Sequence, residues 1–201
     1  SLGYSYADVL EILAVSKMGI TATAVLPAWA LIFKEDKDLS KTPAFETFYG
    51  PEALKGYAGF VRRFGNGAKS YHNASSRLLR DLVKRDALLV TGTDSPFVPY
   101  GTGLHAELRL FERAGLKPWQ VLHAATAKAA EAAGVATDLG TLKPGMLADL
   151  VVVEGDPLAQ IKDADNVVLT IKGGHRYPIE ELLSGGQSHS AKPEKIERPN
   201  D

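Results

Sequence analysis

One carboxylate lies where the catalytic groups of α/β proteins collect. Asp94 follows an apolar run at 87–91, which predicts a short buried strand, and precedes a loop that contains two Pro and two Gly. In parallel α/β architectures, the carboxyl ends of the strands carry the reactive side chains. An Asp at that point can ligate a metal ion or act as a general base. The competing interpretation is an Asp that caps the following turn, with Ser95-Pro96 as ordinary loop chemistry.

Three polar residues near Asp94 are candidates for binding a substrate. Ser95 and Tyr100 belong to the same loop, and His105 opens the helix that follows, from where it can face the same pocket. The competing interpretation of His105 is a surface histidine in the first turn of a helix. The five histidines form no HxH, HxxxH or HExxH pattern, so the sequence holds no local pair of metal-ligating histidines.

The composition is that of an ordinary globular protein. The chain has 201 residues, a formal net charge of −1 and 45% hydrophobic residues, which argues against disorder and against a nucleic-acid scaffold. It has no Cys, which excludes disulfides, thiolate nucleophiles and Cys-ligated zinc, and which suits cytosolic and exported proteins alike. Walker A, GxSxG and GxGxxG motifs are absent, which argues against nucleotide binding and serine-hydrolase chemistry.

The ends of the chain predict a piece of a longer protein. The sequence opens at Ser1 without an initiator Met or a signal-like segment, and we expect it to be the C-terminal part of an enzyme. No apolar run reaches the roughly 18–20 residues of a membrane helix, so we expect a soluble protein without a membrane partner. Residues 184–201 are rich in Gly, Ser, Lys and Pro and predict a disordered tail.

Alternating helices and short apolar runs precede residue 138. Apolar spacing, with capping residues and terminal glycines, predicts helices at 6–18, 73–86, 103–114 and 118–133. Short apolar runs predict strands at 20–26 and 87–91. Residues 28–72 form an insert with one predicted helix at 51–64. Asn73 is the predicted cap of the second of these helices. Short continuous apolar strands between helices are typical of a covered parallel sheet. Aromatic residues make the insert a candidate wall or lid of a site, or a helical cap over one end of the fold (Trp29, Phe33, Tyr49, Tyr57 and Phe60).

Residues 138–183 predict a small β-rich unit with a hairpin turn at Lys172-Gly173-Gly174. A complete (β/α)₈ barrel takes about 250 residues, or about 30 per βα unit, and only two strand units precede residue 134. The sequence is therefore either a small open α/β sheet or the last quarter to third of such a barrel.

A series of motifs resembles the metal-dependent amidohydrolase superfamily, in particular its imidazolonepropionase-like and prolidase-like branch. The motifs are TGTDSP at 91–96, GLHAEL at 103–108, GLKPWQVLHAATAKAAEAAGV at 115–135, LGTLKPGMLADLVVVEGDPL at 139–158 and VVLTIKGGHRY at 167–177. The resemblance covers at least 87–177, and residues 1–27 fit less specifically as the helix and seventh strand that precede them.

The resemblance implies an α/β fold: the C-terminal portion of a (β/α)₈ TIM-type barrel with part of a small β-sandwich. On this basis we expect barrel units at 1–137 with the insert 28–72, part of the sandwich at 138–183, and the tail from 184. Asp94 corresponds to the aspartate at the end of the eighth strand. In such enzymes that residue contacts a metal and shuttles a proton, so Asp94 is expected to be both a metal ligand and catalytic.

The same resemblance implies one or two divalent metal ions, most often zinc, and hydrolysis of an amide, peptide-like or cyclic amide C–N bond. The family's other ligands, which include an HxH pair and further histidines, match no position of this chain and are expected upstream of Ser1. Expected partners are a small or peptide-like substrate, the remainder of the enzyme and further copies in a homo-oligomer. Two alternatives stay open: a non-catalytic relative that serves in assembly, and a free-standing α/β binding domain.

Overall fold

The structure is a computed structural model that describes residues 7–36 and 39–184. Seven helices and five strands occupy these ranges: α1 Ala7–Val15, β1 Ile20–Thr21, α2 Val25–Glu35, α3 Pro43–Lys84, β2 Leu89–Val90, α4 Thr102–Arg113, α5 Pro118–Ala125, α6 Ala127–Ala132, β3 Leu150–Val153, β4 Val167–Lys172, β5 His175–Pro178 and α7 Ile179–Leu183. Short 3₁₀ turns lie at Leu39–Lys41 and Ile161–Asp165. The predicted tail lies outside the described residues from residue 185 onward.

Two separate sheets give the molecule its mixed α/β class. Strands β1 and β2 pair in parallel, with Ile20 opposite Leu89 and Thr21 opposite Val90, and the long connection through α2 and α3 joins them. Strands β3, β4 and β5 form an antiparallel sheet inside the predicted β-rich unit. The division of the chain into barrel and sandwich domains stays a prediction.

The first strand is shorter than its apolar run predicted. Residues 20–26 were expected to form one strand, but β1 ends at Thr21 and helix α2 begins at Val25. Pro27, which predicted the end of a strand, occupies the first turn of that helix, where a missing backbone N–H removes no intrahelical bond. The predicted strand 20–26 was therefore wrong beyond its first two residues.

Helix α3 is a single 42-residue helix where the sequence predicted two shorter ones. It begins at Pro43, after Thr42 accepts a hydrogen bond from the Phe45 N–H at 3.2 Å. Asn73, the predicted cap of a new helix, lies inside it. Because His72, Ser76 and Leu79 form one buried stripe at helical spacing, continued packing outweighs the modest helix propensity of Asn.

The core lies on both sides of α4. One cluster joins α1, the end of α3, α4 and α5 around Phe111, and a second joins α2 to the other side of α4 around Leu110. Both Phe111 and Leu110 are fully buried. Helix α4 is thus held by apolar contacts on two faces, which fixes the polar side chains that it carries. No helix among the described residues is long and apolar enough to cross a membrane.

His72 makes the stability of this core pH-dependent. Burial lowers the pKa of His72 below its usual 6.5; nearby Arg113 acts in the same direction, Glu35 opposes it, and Arg80 lowers it further. At this position the unfolded chain therefore binds a proton more readily than the native chain. The contribution of neutral His72 to the free energy of unfolding is complete above about pH 6.5 and is lost as the pH falls below that value.

We expect the difference in unfolding free energy between the wild type and His72→Gln to shrink as the pH falls from about 7.5 to about 5. Denaturant titrations of both proteins across this range measure it. A difference that stays constant or grows on acidification would contradict a lowered pKa of His72 in the native chain. Comparing the two proteins cancels the contributions of every other titrating group.

Candidate active site

The loop that carries Asp94 is packed tightly against the end of the neighbouring strand. A Cβ atom added to Gly92 would lie 2.2 Å from Thr21 Cγ2 and 3.0 Å from Thr23 Oγ1. No side chain fits there without displacing the residues that follow β1. Further along, a Cβ atom on Gly103 would lie 2.7 Å from Cγ1 of the fully buried Val98. Gly92 thus allows the start of the loop to pack against Thr21 and Thr23, and Gly103 allows Val98 of the same loop to pack against the start of α4.

Asp94 projects from this loop as an exposed side chain. Its backbone has a φ of 57°, a left-handed conformation that Asp adopts more readily than most residues. Its carbonyl oxygen accepts the Phe97 N–H at 3.1 Å, while the hydroxyls of Thr93 and Ser95 lie 3.1 Å apart. Within the described residues, no donor lies within hydrogen-bond distance of the Asp94 carboxylate. The turn is thus closed by the Asp94 backbone, and the carboxylate is available for other contacts.

Tyr100 and His105 line a cavity of about 370 Å³. Its walls come from residues around the start of α3, the start of α4, the segment that enters β4, and α7 (Leu39, Thr42, Tyr49, Tyr100, Gly101, Thr102, His105, Asp165, Asn166, Val167, Ile179 and Leu183). Tyr49 donates a hydrogen bond to the Tyr100 carbonyl at 3.0 Å and so joins the predicted insert to the loop. Asp94 and Ser95 do not line this cavity. The structure therefore brings two of the four predicted site residues together.

His105 lies beside a carboxylate that comes from the 3₁₀ turn before β4. Its Nδ1 atom lies 2.9 Å from Asp165 Oδ1, and the other oxygen of Asp165 accepts a hydrogen bond from Arg109. The side chains of Asp165 and Arg109 are 7% and 9% exposed. Arg109 also pairs with Asp36 at 3.3 Å, at the end of α2. This ionic network fixes one wall of the cavity.

Glu107 is the buried polar residue that sequence reasoning missed. It is fully buried, and its two carboxylate oxygens accept the backbone N–H groups of Ala24 at 3.0 Å and Val25 at 2.6 Å. Burial raises the pKa of Glu107 to about 7, against the opposing effect of hydrogen bonds from the backbones of Ala24, Val25 and Gly92. The available signal was a lone carboxylate within the otherwise apolar stripe of helix 103–114.

The described residues offer a metal ion one exposed carboxylate at the strand ends. Within residues 7–36 and 39–184, no group of three or more His, Asp or Glu side chains has a geometry that would hold a metal ion. A zinc site takes three or four protein ligands. The Asp94 oxygens suit a divalent cation as one member of such a set, and this part of the chain does not supply the others.

The Amidohydrolase family model matches residues 58–177, which is more than half of the chain. The matched range runs from the second third of α3 through the Asp94 loop to β5. This chain belongs to the amidohydrolase family. The family resemblance inferred from the sequence motifs is confirmed.

Solved structures show how much of an amidohydrolase fold the chain represents. A Xaa-Pro dipeptidase solved with methionine in its active site is 20% identical, with a TM-score of 0.61 over 86% of this chain and 37% of that one. Molinate hydrolase is 18% identical, with a TM-score of 0.58 over 99% of this chain and 40% of that one. A prolidase-like protein from Bifidobacterium longum is 28% identical, with a TM-score of 0.50 over 60% of this chain and 32% of that one.

The chain thus spans between 32% and 40% of the length of these three structures. The first two are less than 25% identical to it and show a shared amidohydrolase fold. No curated protein sequence matches the chain significantly.

Proposed function

We propose that this chain forms the C-terminal part of a metal-dependent hydrolase that cleaves C–N bonds in amide, peptide-like or cyclic amide substrates. The observation that carries the proposal is the exposed Asp94 carboxylate, four residues after the end of the parallel strand β2, in a chain of the amidohydrolase family. The carboxyl ends of parallel strands are where barrel enzymes place their catalytic groups. In this proposal, β1 and β2 are the last two strands of a (β/α)₈ barrel, and β3–β5 are part of a β-sandwich.

A divalent metal, with zinc as the first candidate, would take Asp94 as one ligand and further ligands from the remainder of the enzyme. Such an ion, one or two per site, would lower the pKa of bound water to about 7 and would polarise a carbonyl group. The Asp94 carboxylate is a suitable ligand for such an ion, because hard carboxylate oxygens bind divalent cations directly. The isolated chain, with a single ligand, is expected to retain no stoichiometric zinc after dialysis.

Asp94 is the proposed proton carrier of the reaction. A carboxylate oxygen of Asp94 accepts a proton from the attacking water as the new C–O bond forms. It then delivers that proton to the leaving nitrogen as the C–N bond breaks, which yields a carboxylic acid and an amine; proton exchange between these products gives a carboxylate and an ammonium ion. Because Asp94 is exposed and accepts no hydrogen bond from the described residues, its lone pairs are available for this transfer.

Ser95, Tyr100 and His105 are the proposed substrate-binding residues. The cavity lined by Tyr100 and His105 lies beside the loop that carries Asp94 and is large enough for a small or peptide-like molecule. Its lining combines apolar side chains with a histidine that lies beside Asp165 and a backbone carbonyl that accepts a hydrogen bond from Tyr49. Through Tyr49, the insert at 28–72 contributes to the wall of this cavity.

Metal removal from the enzyme that contains this chain tests the proposal. We expect a chelator to abolish hydrolysis of a panel of Xaa-Pro dipeptides, N-acyl amino acids and cyclic amides, and added zinc to restore it. Metal analysis before and after chelation gives an independent readout. Turnover that survives complete metal removal would refute the metal-dependent mechanism. A folded protein that assembles but hydrolyses no member of the panel would favour the non-catalytic alternative.

A further inference from the structure

The loop between β2 and α4 is attached to the start of α3. Val98 of the loop is fully buried and belongs to the same core cluster as Leu39, which precedes that helix. Two residues further along the loop, the Tyr100 carbonyl oxygen accepts a hydrogen bond from the Tyr49 hydroxyl at 3.0 Å. An apolar cluster and a hydrogen bond thus hold this part of the loop against the predicted insert.

Tyr49 projects from a well supported turn of α3. The helix begins after Thr42, whose hydroxyl accepts the Phe45 N–H at 3.2 Å, and the Phe45 side chain is fully buried. One turn later, the Tyr49 ring lies against Phe45, with the two ring centroids 4.9 Å apart. The core therefore sets the position of the Tyr49 hydroxyl independently of the loop.

The acceptor of this hydrogen bond lies at the exposed turn into α4. The Tyr100 side chain is largely exposed, and Gly101 follows with a φ of 67°, a left-handed conformation that costs glycine little. The Tyr100 carbonyl also accepts the Thr102 N–H at 2.7 Å, which engages its second lone pair. Of these two donors, Tyr49 is the one that lies outside the turn and ties it to another part of the fold.

We infer that Tyr49 is a positioning residue for Tyr100: its hydroxyl restrains the Tyr100 carbonyl and so sets the direction from which the Tyr100 side chain meets a substrate in the cavity. The inference rests on the proposed function, in which Tyr100 binds substrate, and it gives the insert at 28–72 a role in binding. Both tyrosines line the cavity, together with Leu39 and Thr42. A side chain that is held in its binding position before the substrate arrives costs less entropy on binding, so loss of this restraint weakens the affinity.

Replacement of Tyr49 by Phe in the enzyme that contains this chain tests the inference, because it removes the hydroxyl and keeps the ring against Phe45. We expect KM to rise by about 3–10-fold, the effect of one neutral hydrogen bond, with kcat changed by less than about twofold. Tyr71→Phe is the matched control: it is the same substitution on the same helix, at a residue that does not line the cavity. This control is expected to keep the wild-type KM. A KM of Tyr49→Phe within about twofold of the wild-type value would overturn the inference.

A double-mutant cycle separates positioning from a direct contact of Tyr49 with substrate. Tyr100→Ala removes the side chain that is positioned but keeps the carbonyl that accepts the hydrogen bond. In a Tyr100→Ala background, Tyr49→Phe is therefore expected to change KM by less than about twofold. Increases in KM that multiply would overturn the inference, because Tyr49 would then act on the substrate without Tyr100.

Limited digestion with chymotrypsin reads the same contact without activity. This protease cleaves after aromatic residues, and cleavage of a folded protein follows the population of its locally open form. We expect cleavage after Tyr100 to be about 3–10-fold faster in Tyr49→Phe and unchanged in Tyr71→Phe, with the fragments identified by mass spectrometry. Equal cleavage rates in Tyr49→Phe and the wild type would overturn the inference.

Failure of the inference and failure of the proposed function give different results. A wild-type enzyme that hydrolyses no member of the substrate panel refutes the proposed function and, with it, the binding role of Tyr100. Full hydrolysis by the wild type, with KM and cleavage rates unchanged in Tyr49→Phe, refutes the positioning role of Tyr49 alone.

Discussion

Asp94→Asn is expected to lower kcat of the enzyme that contains this chain by about 10²–10⁴-fold, the usual contribution of a general acid–base group. The Asn side chain keeps the shape of Asp and one oxygen that can contact a metal, but it cannot accept and return the proton. Because the Asp94 side chain is exposed and holds no hydrogen bond among the described residues, stability should change by less than about 0.5 kcal/mol.

The measurement is kcat, thermal midpoint and metal content of the same variant. Asp138→Asn is a matched control, since Asp138 is also exposed and lies in the turn region before β3. It is expected to retain full turnover. Should Asp94→Asn keep its turnover within about tenfold while its midpoint drops, Asp94 is a structural turn residue.

Asp165→Ala is expected to lower the free energy of unfolding by about 1.5–3 kcal/mol, the usual contribution of a hydrogen bond to a charged group. The Asp165 and Arg109 side chains are both almost completely buried, and the substitution removes one carboxylate from Arg109 while Asp36 keeps its contact at 3.3 Å. The same carboxylate lies beside His105, so one substitution removes two of the contacts between α4 and the 3₁₀ turn. For a chain of this size, the loss corresponds to a fall in thermal midpoint of roughly 3–12 °C.

Asp81→Ala is the control for Asp165→Ala, because it removes one partner of an ion pair at the surface. Asp81 pairs with Lys84 at 3.8 Å on the surface of α3, where both side chains are largely in solvent. Exposed pairs contribute about 0–1 kcal/mol, so this variant should stay close to the wild type. An Asp165→Ala protein as stable as Asp81→Ala would show that the Asp165–Arg109 pair adds nothing to the fold.

The sequence was most informative where local signals decide the structure. The apolar run before Asp94 predicted a strand with a carboxylate at its end, and the Gly stops at 115 and 134 predicted the ends of α4 and α6. In these segments, all the signals that define a helix or strand lie within or directly beside it: the capping residue, the terminal glycine and the apolar spacing. The prediction that Asp94 follows a short strand depended on these local signals alone.

Contacts between distant residues decided the rest. Helix α2 begins where it does because Glu107, more than 80 residues later, accepts the first N–H groups of that helix. His105 was predicted to share a pocket with Asp94, but the structure places it beside Asp165, 60 residues further on, on the wall of a cavity that Asp94 does not line. A single sequence does not reveal such pairings, because neither partner lies within the other's local pattern.

The contrast between tightly packed and exposed residues of the Asp94 loop indicates where the proposed enzyme could change its substrate range. Gly92 and Gly103 admit no side chain, and Val98 is fully buried, so these positions tolerate almost no variation. Phe97 and Tyr100, in contrast, are 73% and 66% exposed, and we call these two positions the rim of the loop. Mutant libraries aimed at new specificity should randomise these rim positions and leave the glycines untouched. Diversity can then accumulate at the rim while the backbone that carries Asp94 stays in place.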